Sequence, residues 1–294
     1  MVIALLGAAF AADVTASGGG ELVAGVVHAP GNWTGAAGGQ VEGAVHVGGA
    51  VTFDAAIDVW LGLPPLVAAV APELLRVRGQ VGPVWLGAGI APGPWRVEAV
   101  DGWDTSLVTW SAEQRHLLPA SLAAVEVGVG APERGVVFLG GLDLGGGLNL
   151  LGDVGGQLVS APLIVGVDGR ISGDGVQVNG GVFARPDSPS LAAQAGATLD
   201  FDDLRLAVQA TGGWNAAFGA HIQADLFPDG AATPVARFEL LGAQPGGALG
   251  VVVRPNGWLD LKAEVAYADG APQGWVGVVA WGETRAKGRG KVKK

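Results

Sequence analysis

VEGAVHVGGAVTFDAAIDVWL, residues 41–61, holds Val, Ile, Leu, Phe, Gly or Ala at every odd position. The even positions carry Glu42, His46, Thr52, Asp54 and Asp58 among small residues. Side chains of a β-strand alternate between two faces, so this stretch reads as a ribbon with one apolar and one polar side. What must be decided is which side meets water.

Composition narrows the choice. Hydrophobic residues make up 49% of the 294-residue chain and charged residues 15%, with a mean hydropathy of +0.41. That is too apolar for a disordered chain despite 52 Gly and 17 Pro. No internal run reaches the roughly 18–20 unbroken apolar residues of a spanning helix; the best, LGLPPLVAAVAPELLRV, is interrupted by Pro64, Pro65 and Pro72. The N-terminal MVIALLGAAFAAD ends on Ala9-Phe10-Ala11, a small-x-small export pattern, so residues 1–12 read as a signal peptide. Cysteine is absent, which excludes disulfides and thiolate chemistry. The net charge of −10 argues against a nucleic-acid partner. The single basic cluster, residues 284–294, reads as a solvated tail.

Alternation recurs along the chain. Leu75, Val77 and Val81 oppose Arg76 and Arg78; Arg96 and Glu98 lie on the polar side of WRVEAV, and Glu126 on that of AAVEVGVG. Residues 191–213 read as a hairpin whose parity flips through Asp202-Asp203, leaving Arg205 on the polar face. Asp225, the pair Arg237 and Glu239, and the trio Asp260, Lys262 and Glu264 line the polar sides of three later segments.

A soluble sandwich also alternates. Three further features favour a membrane wall. The polar face is rich in Ala and Gly and poor in Lys. Trp60, Trp85, Trp95, Trp214, Trp258, Trp275 and Trp281 fall near segment ends, where the aromatic girdle of a membrane barrel lies. The segments approach the nine to eleven residues of a tilted spanning strand. Because lipid offers no hydrogen bonds, a spanning sheet must close on itself. The expected fold is therefore all-β, a closed antiparallel transmembrane β-barrel over residues 21–283 with about fourteen strands, in a range of twelve to sixteen. Residues 101–121 break the alternation and would form a long extracellular loop.

In this pattern of export signal, alternating strands and aromatic ends, the chain resembles the porin-like outer-membrane β-barrel proteins of bacteria. The resemblance carries no catalytic or ligand motif. Such barrels commonly end on an aromatic residue, whereas here a basic extension follows Trp281.

The resemblance implies a bacterial outer-membrane location, the lipid bilayer as partner, and passage of small hydrophilic solutes or ions. The parity reading makes Glu42, Asp54, Asp58, Arg76, Arg78, Arg96, Glu98, Glu126, Arg205, Asp225, Arg237, Glu239, Asp260, Lys262 and Glu264 the pore-lining set. Its acids are in modest excess, which favours cations. No cofactor or metal is expected. DFDD (200–203) reads as a hairpin turn, and GRISGDG (169–175) lacks the spacing of a calcium loop. The glycine runs at 18–20 and 145–147 carry no phosphate-binding pattern and read as turns or strand glycines. No nucleophile and base share a usable spacing, so no enzymatic activity is expected. Two other readings stand beside the channel. One is a closed structural or adhesive barrel that presents the 101–121 loop; the other is a secreted soluble β-sandwich or Gly-rich solenoid.

Overall fold

The computed structural model describes residues 14–29, 31–47, 51–63, 66–95, 111, 116–119, 121–131, 134–145, 147–187, 190–268 and 270–281. The expected signal peptide and the basic tail lie outside these residues, as do Arg96 and Glu98.

Sixteen strands form one closed antiparallel barrel. They are β1 (Val14–Ala29), β2 (Asn32–Val47), β3 (Val51–Leu63), β4 (Val67–Val81), β5 (Val84–Pro92), β6 (Ser121–Ala131), β7 (Arg134–Asp143) and β8 (Leu163–Gly173). Then follow β9 (Val176–Arg185), β10 (Ser190–Asp200), β11 (Leu204–Trp214), β12 (Ala216–Leu226), β13 (Ala232–Leu241), β14 (Gln244–Asn256), β15 (Leu259–Ala268) and β16 (Ala271–Trp281). Each pairs with its neighbours in the chain, and β1 closes on β16 from Glu21↔Trp281 to His28↔Gly274. The count is sixteen rather than the expected fourteen, and the barrel begins at Val14 rather than at residue 21. The difference lies in Gly-rich strands whose weak alternation reads as turn. Gly18–Gly20 belong to β1, Gly140–Asp143 to β7, and Gly169–Gly173 to β8.

The stretch 41–61 is itself a hairpin. Val47 pairs with Val51, so a three-residue connection separates β2 from β3 and leaves the parity unchanged. In the 191–213 segment Phe201 N–H donates to Leu204 O at 2.8 Å, and Asp202 and Asp203 form the turn that reverses parity.

The apolar parity faces outward: Val41, Val45, Phe53, Ile57, Val59 and Leu61 are all exposed. Among the described strand side chains, every charged one has the inward parity except Arg134, at the first position of β7. A basic side chain at the lipid-facing midplane would cost about 2–4 kcal/mol, whereas one at a strand end costs little. Trp33, Trp214 and Tyr267 are exposed at one end of the wall, and Phe201, Phe227 and Trp258 at the other. No described helix is long and apolar enough to cross a membrane.

Two long connections emerge at the same end, after β5 and after β7. The second carries a short helix, α1 (Val154–Ser160), capped by Asp153, whose carboxylate accepts from Gly156 N–H at 3.0 Å. It also repairs the wall. The pairing of β5 with β4 ends at Ile90↔Leu75, which leaves the upper edge of β4 open. Leu150 N–H donates to Val70 O at 2.7 Å, and Val70 N–H donates to Asn149 Oδ1 at 3.4 Å. Asn149 is braced in turn by Gln157, whose Oε1 accepts from Asn149 N–H at 2.8 Å. Covering an open edge in this way removes a pairing liability. Asn149→Ala is expected to cost about 1 kcal/mol and to speed proteolytic nicking in 147–160. Unchanged nicking would show that the strap is held by other contacts.

Candidate functional site: the inner face of the barrel

Three groups of side chains line the inner face. The first spans β2 to β6. Asp54 lies between two guanidiniums, 3.3 Å from Arg78 and 3.7 Å from Arg76. Arg76 also reaches Glu126 at 3.7 Å, across the whole width of β5. That reach requires a bare strand beneath it: a Cβ at Gly87 would sit 3.0 Å from Glu126 Oε2, and one at Gly89 would sit 2.0 Å from Leu75 O. The Arg78 guanidinium stands 5.8 Å from the centroid of the Trp85 ring, a cation–π contact. Nearby, Gln40 Nε2 donates to Asp58 Oδ1 at 3.1 Å and to Glu73.

The second group covers β12 to β15 and is more deeply buried. Gln223 donates to Asp225 at 3.0 Å, and Arg237 donates to Glu239 at 3.1 Å with side-chain exposures of 2% and 1%. Lys262 and Glu264 follow on β15, both buried. Arg254 stands 3.8 Å from Asp260. Small wall residues make room for these long side chains: Gly250 pairs with Glu264, Gly277 with Lys262, and Gly246 with Glu239. Opposite charges at such burial compensate a desolvation cost that neither could meet alone.

The third group comes from the connection after β5. The chain turns inward at Gly93, and Trp95 is fully buried. Its indole N–H donates to Val167 O at 3.1 Å, and Gln209 donates to the Trp95 carbonyl at 2.7 Å. Ser111 and Leu118 are also buried, and Leu118 packs with Trp95 against Leu122, Leu139, Ile164 and Phe183. Within the expected extracellular loop, Ser111, Leu118, Pro119 and Ser121 are therefore buried while His116 is exposed; residues 101–110, 112–115 and 120 fall outside the described set. The driving force is apolar burial. Leu122, Leu139, Ile164 and Phe183 stand at inward positions that a solvated face would leave polar.

The sequence-derived residues distribute as follows. Glu42, Asp54, Asp58, Arg76, Arg78, Glu126, Asp225, Arg237, Glu239, Asp260, Lys262 and Glu264 all have inward parity. Arg205 does too, but at the turn end, where it pairs with Asp200 in solvent. The tryptophans divide. Trp214 and Trp258 are exposed at 63% and 54%. Trp60, Trp85, Trp95 and Trp275 instead face inward, each laid over wall glycines: Gly38, Gly128, Gly166 with Gly181, and Gly25 with Gly277, respectively. Segment-end position fixes a side chain's height; parity fixes its face, and Trp60, Trp85 and Trp275 share the inward parity of the charged residues, whereas Trp95 is carried in by the connection after β5. The side chain of Trp281 lies outside the described set.

Other inward polar residues were missed. Glu73 is displaced by the register shift between Ala56 and Ile57, which breaks simple parity. Asp143, Asp168, Arg170, Asn179 and Arg185 sit in the Gly-rich strands β7 to β9, and Arg185 pairs with Asp143 at 2.9 Å. His221 and Asp225 share the inner face of β12, and Asp200–Asp203 form the end of β10 and its turn. Among the described residues no group of three or more His, Asp or Glu is arranged to hold a metal ion.

No family model matches the sequence, and no curated protein matches it. Solved structures do. A triple mutant of the Rhodopseudomonas blastica porin superposes with a TM-score of 0.60 at 12% identity, covering 91% of this chain and 100% of that chain. A double mutant of the same porin gives 0.60 at 14% identity, with the same coverage. At such identities the likeness is one of fold, and the fold of this chain is porin-like: a closed antiparallel β-barrel of sixteen strands.

Proposed function

We propose that the chain is an outer-membrane channel for passive diffusion of small hydrophilic solutes and ions, with a weak preference for cations. One observation carries this reading: charge is segregated to the inside of a closed wall whose outside is apolar. Lipid accepts the outer face, and water or a hydrated solute accepts the inner one. The inward acids of the pore-lining set outnumber its bases, which supports cation preference. The porin-like fold supports both location and channel.

The test is single-channel recording of refolded protein in a planar bilayer under a salt gradient. Discrete steps with a cation-side reversal potential are expected. Arg78→Glu places a second acid beside Asp54, at a side chain 24% exposed, and should move the reversal potential further toward cation selectivity. An unchanged value would remove Arg78 from the conducting path. A second reading, a barrel closed to ions, is favoured by the deep burial of Arg237, Glu239, Asp260 and Lys262; silence from inserted protein would select it. Its adhesive form has less support, because Ser111 and Leu118 are turned inward.

A further inference from the structure

We infer that Trp95 is a positioning residue, the pin that fixes the inward-turned stem after β5 at one depth in the barrel. Its effect on conductance rests on the channel reading; its effect on the stem does not.

The indole is seated rather than merely buried. A Cβ at Gly166 would lie 2.4 Å from the ring, and one at Gly181 would lie 2.6 Å from it, so two neighbouring strands are bare where the ring rests. Phe183 closes one side, its ring centroid 4.7 Å away at 38°. The polar contacts are equally specific. The indole N–H is bound by β8 through Val167 O. The Trp95 carbonyl is bound by Gln209 of β11. The Pro94 carbonyl accepts from Arg170 Nη2 at 3.1 Å. One residue and its predecessor are thus tied to β8 and β11, three and six strands along the wall from β5.

The returning limb depends on the same seat. Leu118 packs in the Trp95 cluster, and a Cβ at Gly93 would lie 2.4 Å from Pro119 O, so the two limbs touch. Trp95 takes no part in the barrel's strand pairings. Loss of the ring therefore frees the stem while the wall persists, a local opening rather than a global one.

The absence of cysteine makes a clean test. Ser111→Cys places one thiol at a fully buried stem position, and its reaction with a water-soluble maleimide reads the stem's exposure. In the S111C background, Trp95→Ala should raise the labelling rate about tenfold or more, since truncating a buried Trp removes a large packing contribution. Trp95→Phe keeps a ring on the glycine seat and should hold the rate near the parent's. The temperature at which the barrel unfolds in SDS should stay unchanged in both; a fall that parallels the labelling would indicate a structural role and overturn the pin. Equal labelling with and without Trp95 also overturns it. Should Trp95→Ala fail to insert, Gln209→Ala is the second variant, expected to accelerate labelling to a smaller degree, and no acceleration there overturns the pin. In bilayers Trp95→Ala should replace a single conductance level with several. A silent parent defeats the channel reading alone, and the labelling still decides the pin.

Discussion

Arg237→Met is expected to lower the stability of the barrel by about 3–5 kcal/mol, read as a lower midpoint in urea unfolding from lipid vesicles. The guanidinium and the Glu239 carboxylate are almost fully buried, 3.1 Å apart on one strand. Removing the cation takes away a guanidinium 3.1 Å from a carboxylate that stays almost fully buried. Its surroundings sharpen the effect. Glu239 faces His221 across the β12–β13 ladder and abuts Gly246, so the carboxylate has no room to swing into solvent. Replacing both residues, Arg237→Met with Glu239→Leu, should recover most of the loss, because an apolar pair of similar volume carries no desolvation cost. A double variant as unstable as the single one would show that packing, not charge, dominates at this site.

Gly89→Val should be comparably severe, at about 3 kcal/mol, the order expected when a strained backbone and an overpacked contact coincide. Gly89 has φ +140°, and a Cβ there would lie 2.0 Å from Leu75 O and 2.8 Å from Arg76 Cα. The obstruction is backbone, so no rotamer relieves it. The consequence reaches the site as well. β4 and β5 would be forced apart where Arg76 crosses toward Glu126, and that ion pair would open. The variant is therefore expected both to lower the unfolding midpoint and to change ion selectivity. Wild-type values in both measurements would mean that β5 can re-form its pairing without the glycine.

The fold was legible wherever one face of a strand is uniformly apolar. Residues 41–61, 191–226 and 259–267 show this, and their parities hold through the turns of the structure. It was less legible in β1 and β7 to β9. There glycine occupies both faces, so period two is lost even though the backbone pairs throughout. The inward set was readable from the same parity as far as parity ran. It stopped at the register shift that moves Glu73, and at the Gly-rich strands that carry Asp143, Asp168 and Arg185. The stem is a different case. Leu122, Leu139, Ile164 and Phe183 show as inward residues only once the strands are paired, what covers them comes from beyond β5, and no local spacing links Trp95 to Gly181. The tryptophans repeat the lesson: their height was readable, but their face had to be taken from the charged residues beside them.

Fifteen of the sixteen strand pairings join consecutive strands, and the remaining one joins β1 to β16. The two kinds carry different entropic costs. Thirteen of the consecutive pairings close a loop of a few residues and two span the long connections after β5 and β7, whereas the β1–β16 pairing closes most of the chain, at about 3 kcal/mol more than a short hairpin by the logarithmic dependence on loop length. The sheet can therefore grow hairpin by hairpin as a curling ribbon with two open edges, and it becomes a barrel only when residues 274–281 arrive beside 21–28. On that cost the seam is expected to be the last ladder to form, and conditions that loosen the wall should unzip it there first.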